Sequence, residues 1–89
     1  MKSVELDGRE AVSCGAFHSL LAAALDLPGY YGGNLDALYD CLTALPEPTE
    51  LVIRNFRVLE QRLGADYSGR IRRVLADAQA EGRFAFRLL

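Results

Sequence analysis

The segment that most constrains the fold is Glu50–Arg54, whose sequence ELVIR holds a continuous apolar run rich in β-branched side chains. A run of this kind is typical of a strand in a parallel sheet, where helices cover both faces. Two other segments alternate between apolar and polar residues, as half-buried strands do: Ser3–Gly8 (SVELDG) and Arg83–Leu89 (RFAFRLL). The sequence therefore predicts three strands.

Four stretches between these strands have apolar residues at helical spacing, and glycine or proline follows each of them. Polar residues suited to N-caps precede three of the stretches, namely Ser13, Asn34 and Asn55. The predicted helices run from Ser13 to about Leu25, from about Leu35 to Ala44, from Phe56 to Leu63 and from about Tyr67 to Glu81.

The elements follow one another as strand, two helices, strand, two helices, strand. Connections through helices place consecutive strands parallel, with right-handed crossovers. A chain of 89 residues has room for one domain with one modest core. We therefore expect a single α/β domain over residues 1–89, in which a three-stranded parallel sheet is packed with about four helices.

The two cysteines, Cys14 and Cys41, have neither a metal-binding spacing nor a CxxC motif. We expect them to be small buried apolar side chains without a disulfide. A phosphate-binding loop is also absent, so neither a metal nor a cofactor is expected. The first ten residues, MKSVELDGRE, contain acids where a signal peptide needs an apolar stretch, which predicts a cytoplasmic protein.

Charge is distributed unevenly along the chain. The formal charge is −6 over residues 1–50 and +4 over residues 51–89, and no Lys or Arg lies between Arg9 and Arg54. A concentrated negative field attracts a cationic partner and repels nucleic acid and anionic membranes. The sequence therefore predicts a protein partner with a basic surface, and neither nucleic acid nor a membrane.

Two of these acids, Asp36 and Asp40, lie one turn apart on the second predicted helix, opposite the face formed by its leucines. Like charges at this spacing destabilise a helix by roughly 0.2–0.5 kcal/mol. Asp36 offsets the helix dipole, because it lies in the first turn. Asp40 has no Lys or Arg three or four residues away. A solvated surface and a binding surface both remain open for this pair.

Three tyrosines accompany the acids, namely Tyr30, Tyr31 and Tyr39. Exposed tyrosines beside a charge cluster suit a protein-binding surface, because they supply contact area at a small entropic cost. The alternative is packing at the edge of a small core, which is easier to accept for one tyrosine than for three.

The whole stretch LPGYYGGNLDALYDCLT, residues 27–43, resembles the signature segment of the barstar family, intracellular inhibitors of secreted microbial ribonucleases. The resemblance covers the whole chain, from the first strand through Phe17-His18 to the AEG tripeptide that ends at Gly82. It implies the three-stranded parallel α/β fold. It also implies an inhibitor, without enzymatic activity, that binds a guanyl-specific ribonuclease 1:1.

The resemblance also implies the site residues. Asp40 matches the acid that occupies the place of the substrate phosphate, and Tyr30 matches the tyrosine that stacks on the catalytic histidine. Asp36 matches an acid that pairs with an arginine at the rim of the enzyme, and Asp77 an acid on the last helix. The remaining matched interface positions are Tyr31, Gly32, Asn34, Leu35, Tyr39 and Thr43.

Four positions depart from the best-known members of that family. Asp77 replaces a longer Glu, and Arg73 precedes it at a spacing that allows an ion pair. Tyr39 replaces a tryptophan, and Gly33 replaces a charged residue, which suggests a different partner surface. Arg83 replaces a cysteine, so Cys41 cannot pair there.

Three other functions compete with ribonuclease inhibition as explanations of this sequence. Catalysis is disfavoured because no Ser, Cys or carboxylate is tied by a motif to His18, the single histidine. A nucleic-acid interface could use Arg70, Arg72 and Arg73, but helical geometry spreads these around the helix. The third alternative keeps the fold and makes the chain an adaptor or immunity protein for a different cationic toxin.

Overall fold

Three parallel strands and four α-helices form the structure, a computed structural model that describes residues 1–89. A single turn of 3-10 helix, Gly8–Glu10, follows the first strand. The strands are β1 (Lys2–Asp7), β2 (Thr49–Arg54) and β3 (Phe84–Leu88), and the helices are α1 (Cys14–Leu25), α2 (Leu35–Thr43), α3 (Phe56–Leu63) and α4 (Ala65–Ala80). The predicted α/β class, element order and parallel sheet are confirmed.

β2 is the central strand, and the sheet order is β1-β2-β3 with both pairs parallel. Leu51, Val52 and Ile53 are all buried, although neighbouring residues of a strand point to opposite faces of the sheet. Both faces of β2 are therefore covered, which explains why its sequence shows no polar alternation.

The core is a cluster of sixteen buried hydrophobic residues drawn from the sheet and the helices around it. α2 contributes Leu38 and Leu42, and α4 contributes Ile71 and Leu75, all four without solvent exposure. α2 and α4 pack against each other. The outward faces of these two helices consequently lie next to each other on the surface.

Two of the three predicted N-cap residues form the expected side-chain hydrogen bond. The Ser13 hydroxyl accepts a hydrogen bond from the Ala16 backbone N–H at 3.1 Å, and the Asn34 side-chain oxygen accepts one from the Ala37 N–H at 2.8 Å. Each bond satisfies a backbone donor that the first helical turn leaves without a partner.

The third predicted N-cap is confirmed in position only, because Asn55 is the N-cap residue of α3 but its side chain makes no capping hydrogen bond. Asn55 precedes the helix in the left-handed region, with φ 55°, and its side-chain amide donates to Asp7 Oδ1 at 3.0 Å instead. The turn after β2 lies directly against Gly8, where a Cβ atom would come within 2.5 Å of the Asn55 carbonyl oxygen. The Asn55 side-chain amide therefore lies beside Asp7 at the end of β1, and it does not bond to the first turn of α3.

The expectation that both cysteines are buried was also wrong. Cys14 is exposed at the first residue of α1, outside the core, and Cys41 is half-buried on α2. Both are free thiols. Partial burial raises the pKa of the Cys41 thiol, and the neighbouring Asp40 carboxylate raises it further.

A helix that crosses a membrane must be both long and apolar. Not one of the four helices has the length and the apolar sequence that such a span needs.

Candidate partner-binding site

The surface between α2 and α4 brings three carboxylates together. Leu35, Asp36, Tyr39 and Asp40 of α2 line a groove with Val74 and Asp77 of α4, and we call it the acidic groove. Asp36, Asp40 and Asp77 are exposed, and none of them forms an ion pair. The groove therefore displays unneutralised negative charge on two packed helices.

The outward position of Asp36 and Asp40 follows from the helical repeat. Leu38 and Leu42 lie on the opposite side of α2 and are completely buried, which fixes the rotation of the helix about its axis. The predicted separation of an acidic face from a leucine face is confirmed. Because the leucines hold α2 in place, its carboxylates are presented from a rigid element.

Asp77 was predicted to have Arg73 within reach of an ion pair, but this pair does not form. Arg73 instead lines a neighbouring cleft together with Arg70 and Asp36. The side chain of Asp77 thus contributes its full charge to the acidic groove.

The tyrosines differ in their exposure. Tyr30 is 87% exposed. Tyr31 and Tyr39 are half-buried and pack against the core cluster, so two of the three tyrosines are at the edge of the core. Tyr39 also lines the acidic groove, and its packed position does not remove it from the candidate site.

Tyr30 and Asp40 both line a second cavity of about 330 Å³, next to the ends of α1 and α2. Its apolar lining includes Leu27, Pro28 and Ala44. Asp40 is thus shared between this cavity and the acidic groove. Of the predicted site residues, Asp40 is the one that connects the exposed ring of Tyr30 to the other acids.

The loop before α2 contributes backbone shape. Gly32 is exposed, and Gly33 adopts a φ of 68°, a conformation that favours glycine. Asn34 is occupied in capping α2, and Leu35 is half-buried where the acidic groove meets the neighbouring cleft. At the other end of the helix, the half-buried Thr43 hydroxyl donates to the Tyr39 carbonyl at 3.1 Å.

Sequence reasoning missed the hydrogen bonds of His18. This imidazole is buried on α1, with Nδ1 against the Tyr31 hydroxyl and Nε2 at 2.6 Å from the Tyr67 hydroxyl. Burial lowers the pKa of His18 and raises the pKa values of Tyr31 and Tyr67. The contacts join residues 13 and 49 positions apart in the chain, so no local pattern indicates them.

The three arginines of α4 do not form a common patch. The Arg72 guanidinium pairs with Glu60 at 3.2 Å and lies 4.9 Å from the centre of the Phe56 ring. Arg70 and Arg73 lie instead in the cleft beside α2. The expected spread of these charges around the helix is confirmed, and Arg72 is engaged within the fold.

The family model described as Barstar (barnase inhibitor) matches residues 1–89, the entire chain. The chain belongs to the barstar family. It is also similar to a Bacillus subtilis (strain 168) protein named "Putative ribonuclease inhibitor YrdF". The two are 38% identical over 90 residues, which cover 100% of this chain and 98% of that protein.

Family membership agrees with the observed order of strands and helices. Arg83, where the sequence resemblance led us to expect a cysteine, has a visible role in the fold. The Arg83 guanidinium donates to the Leu45 carbonyl at 3.2 Å and to the Pro46 carbonyl at 3.1 Å. In this barstar-family chain, Arg83 therefore joins the start of β3 to the segment that follows α2.

Proposed function

We propose that this protein inhibits a secreted guanyl-specific microbial ribonuclease by placing the acidic groove in the enzyme's active site. The observation that carries the proposal is the position of Asp40, exposed, without an ion pair, and shared between the acidic groove and the cavity beside Tyr30. Membership in the barstar family and the name of the similar Bacillus subtilis protein support ribonuclease inhibition.

The mechanism is mimicry of the substrate phosphate. A ribonuclease active site collects cationic side chains around the phosphate, and a carboxylate can accept the same charge-assisted hydrogen bonds. Asp40 would occupy the phosphate position, and Asp36 and Asp77 would face cations nearer the rim. Tyr30, whose ring is 87% exposed before binding, would cover the contact and exclude water from it.

The remaining site residues have supporting roles in this proposal. Asn34 and the leucine face of α2 hold the helix that carries the acids. Gly32 and Gly33 let the loop approach the enzyme closely, and Tyr31, Leu35, Tyr39 and Thr43 complete the contact surface. The mechanism requires neither metal nor cofactor, because the enzyme itself supplies the positive charge.

An inhibitor accounts for the site better than an enzyme does. His18, the single histidine, is buried with both ring nitrogens against tyrosine hydroxyls, so it is not available to a substrate.

In the cell that makes the ribonuclease, an inhibitor of this kind would protect cytoplasmic RNA before the enzyme is exported.

The experiment is a titration of guanyl-specific secreted ribonucleases with the purified protein, followed by RNA cleavage and by calorimetry. We expect at least one enzyme to lose its activity at a 1:1 molar ratio, and the protein alone to cleave no RNA. If no enzyme of the panel is inhibited or bound, the proposal is wrong, and an adaptor or immunity protein for another cationic toxin takes its place.

A further inference from the structure

Arg70 and Arg73 of α4 are two cations beside the acidic groove, whose own lining contains no Lys or Arg. They line a cleft with Tyr67, Val74 and the start of α2, including Asp36, and we call it the basic cleft because its two arginines outnumber its single acid. Both side chains are exposed, and neither takes part in a hydrogen bond or an ion pair.

The absence of partners for these arginines is not due to a lack of acids on α4. Asp66 precedes Arg70 by four residues and Asp77 follows Arg73 by four, a spacing at which helical ion pairs form. Neither pair forms, whereas Arg9, Arg54, Arg72 and Arg87 are all paired with acids elsewhere.

The basic cleft is continuous with the acidic groove. Leu35, Asp36 and Val74 line both of them. A protein that covers Asp36, Asp40 and Asp77 would therefore also reach Arg70 and Arg73. If that protein presented only cations, these two arginines would repel it at short range.

We infer that the basic cleft is a second half of the partner-binding surface, and that it receives an Asp or Glu side chain of the ribonuclease between Arg70 and Arg73. The inference rests on the proposed function and adds to it the chemistry of the partner's rim. A guanidinium matches a carboxylate through two parallel N–H···O bonds, so the cleft would select carboxylates over other groups. Ribonucleases with Lys or Arg at this rim position would be rejected, which makes the cleft a determinant of specificity.

The test compares Arg70→Gln and Arg73→Gln with the control Arg57→Gln, using a ribonuclease that the unmodified protein inhibits. Arg57 is an exposed arginine of α3 that also lacks an ion pair, so each variant loses one positive charge. If the arginines are only solvated surface charges, their removal reduces repulsion of the cationic enzyme, and binding becomes unchanged or tighter. If they hold a carboxylate, binding weakens about tenfold, mainly through faster dissociation, while Arg57→Gln binds as before or slightly tighter.

A charge exchange identifies the carboxylate. Arg73→Glu is titrated against ribonuclease variants in which each acidic residue around the active-site cleft is changed in turn to Lys. Recovery of affinity with one of these variants is expected, and it would locate the contact. The inference is overturned if both Gln variants bind as tightly as the unmodified protein or more tightly, or if no enzyme variant restores binding. If the unmodified protein inhibits no ribonuclease, the proposed function itself has failed, and this inference falls with it.

Discussion

The Nε2 atom of His18 on α1 lies 2.6 Å from the hydroxyl oxygen of Tyr67 on α4. On the other side of the ring, Nδ1 contacts the hydroxyl of Tyr31 in the loop before α2. A neutral imidazole donates at one nitrogen and accepts at the other, so the two hydroxyls together satisfy the buried ring. The loop before α2, which carries Tyr31, is thereby connected through His18 to α1 and α4.

Replacing Tyr67 by Phe should destabilise the protein. The change keeps the aromatic ring but leaves one nitrogen of the buried His18 without a partner, which typically lowers the free energy of unfolding by about 1–3 kcal/mol. Urea denaturation measures the loss. Tyr30→Phe is the matched control, because the Tyr30 hydroxyl forms no hydrogen bond within the protein, and its unfolding curve should not change. Equal stability of all three proteins would contradict a structural role for the contact.

Stability should fall in mildly acidic solution because of the same histidine. Burial lowers the pKa of His18 in the folded protein below the ordinary value of 6.5, so the unfolded chain binds the proton first. The free energy of unfolding should therefore be highest above about pH 6.5 and decrease as the pH falls below it. Denaturation between pH 7.5 and 5 measures this slope.

His18→Gln is the control for the pH effect and should remove the slope, since no other histidine is present. The carboxyl of Asp7 changes the free energy of unfolding only at lower pH. The hydrogen bonds from Arg9 hold the pKa of its carboxyl well below the ordinary 3.8, so its contribution is lost only below that pH. A slope that persists in His18→Gln between pH 6.5 and 5 would assign the effect to other groups.

Asp40→Ala should separate binding from folding. Asp40 is exposed opposite the leucine face, so its removal should leave the melting temperature unchanged or slightly higher, because repulsion from Asp36 is relieved. Affinity for the ribonuclease should fall by about 2–5 kcal/mol, since the enzyme's cations would be buried without a partner. Asp36→Ala and Asp77→Ala should have smaller effects.

Glu10→Ala is the control for Asp40→Ala, because Glu10 is an exposed acid without an ion pair, outside the site. It should leave the affinity nearly unchanged. A loss of stability in Asp40→Ala would make this residue structural, and unchanged affinity would exclude the acidic groove as the binding site.

Association with the ribonuclease should be faster at low salt. The carboxylates of the acidic groove have no ion pairs, and residues 10–53 contain no Lys or Arg, so their field extends into solution. The Debye length shrinks from about 30 Å at 0.01 M salt to about 3 Å at 1 M, and the association rate should fall steeply over this range. Stopped-flow measurements provide the rates, and the dissociation rate should change less. Association rates independent of salt would contradict steering.

Gly8→Ala should destabilise the fold by about 1–3 kcal/mol, because the new Cβ has no space. It would lie 2.5 Å from the Asn55 carbonyl oxygen and 2.9 Å from that of Arg54, and both are backbone atoms. Gly69→Ala is a control with the opposite sign. Gly69 lies inside α4 with no atom within 4 Å of an added Cβ, so alanine there should raise stability by about 0.5–1 kcal/mol. Thermal denaturation of both variants distinguishes the two outcomes.

Local sequence pattern was sufficient for the features that follow from the repeat of a single helix or strand. The burial of Leu51–Ile53, the cap at Asn34 and the position of Asp36 and Asp40 opposite Leu38 were all predicted. Side-chain directions within one helix or strand follow from the repeat of that element, so sequence spacing alone determines which residues share a face. Resemblance to the barstar family added Asp77 to the site.

Tertiary structure decided which elements meet and which partner each polar side chain finds. Asp77 lines the same groove as Asp36 because α4 packs against α2. Arg73 lines the basic cleft and does not pair with Asp77, although the two are four residues apart on α4. The Asn55 side chain donates to Asp7 at the end of the adjacent strand β1 and does not bond to the first turn of α3. A long or polar side chain can reach several hydrogen-bond or ion-pair partners that differ little in free energy. The groups that packing places beside it determine which partner it binds. Helical and strand periodicity carry no information about those neighbours, because they come from distant parts of the chain.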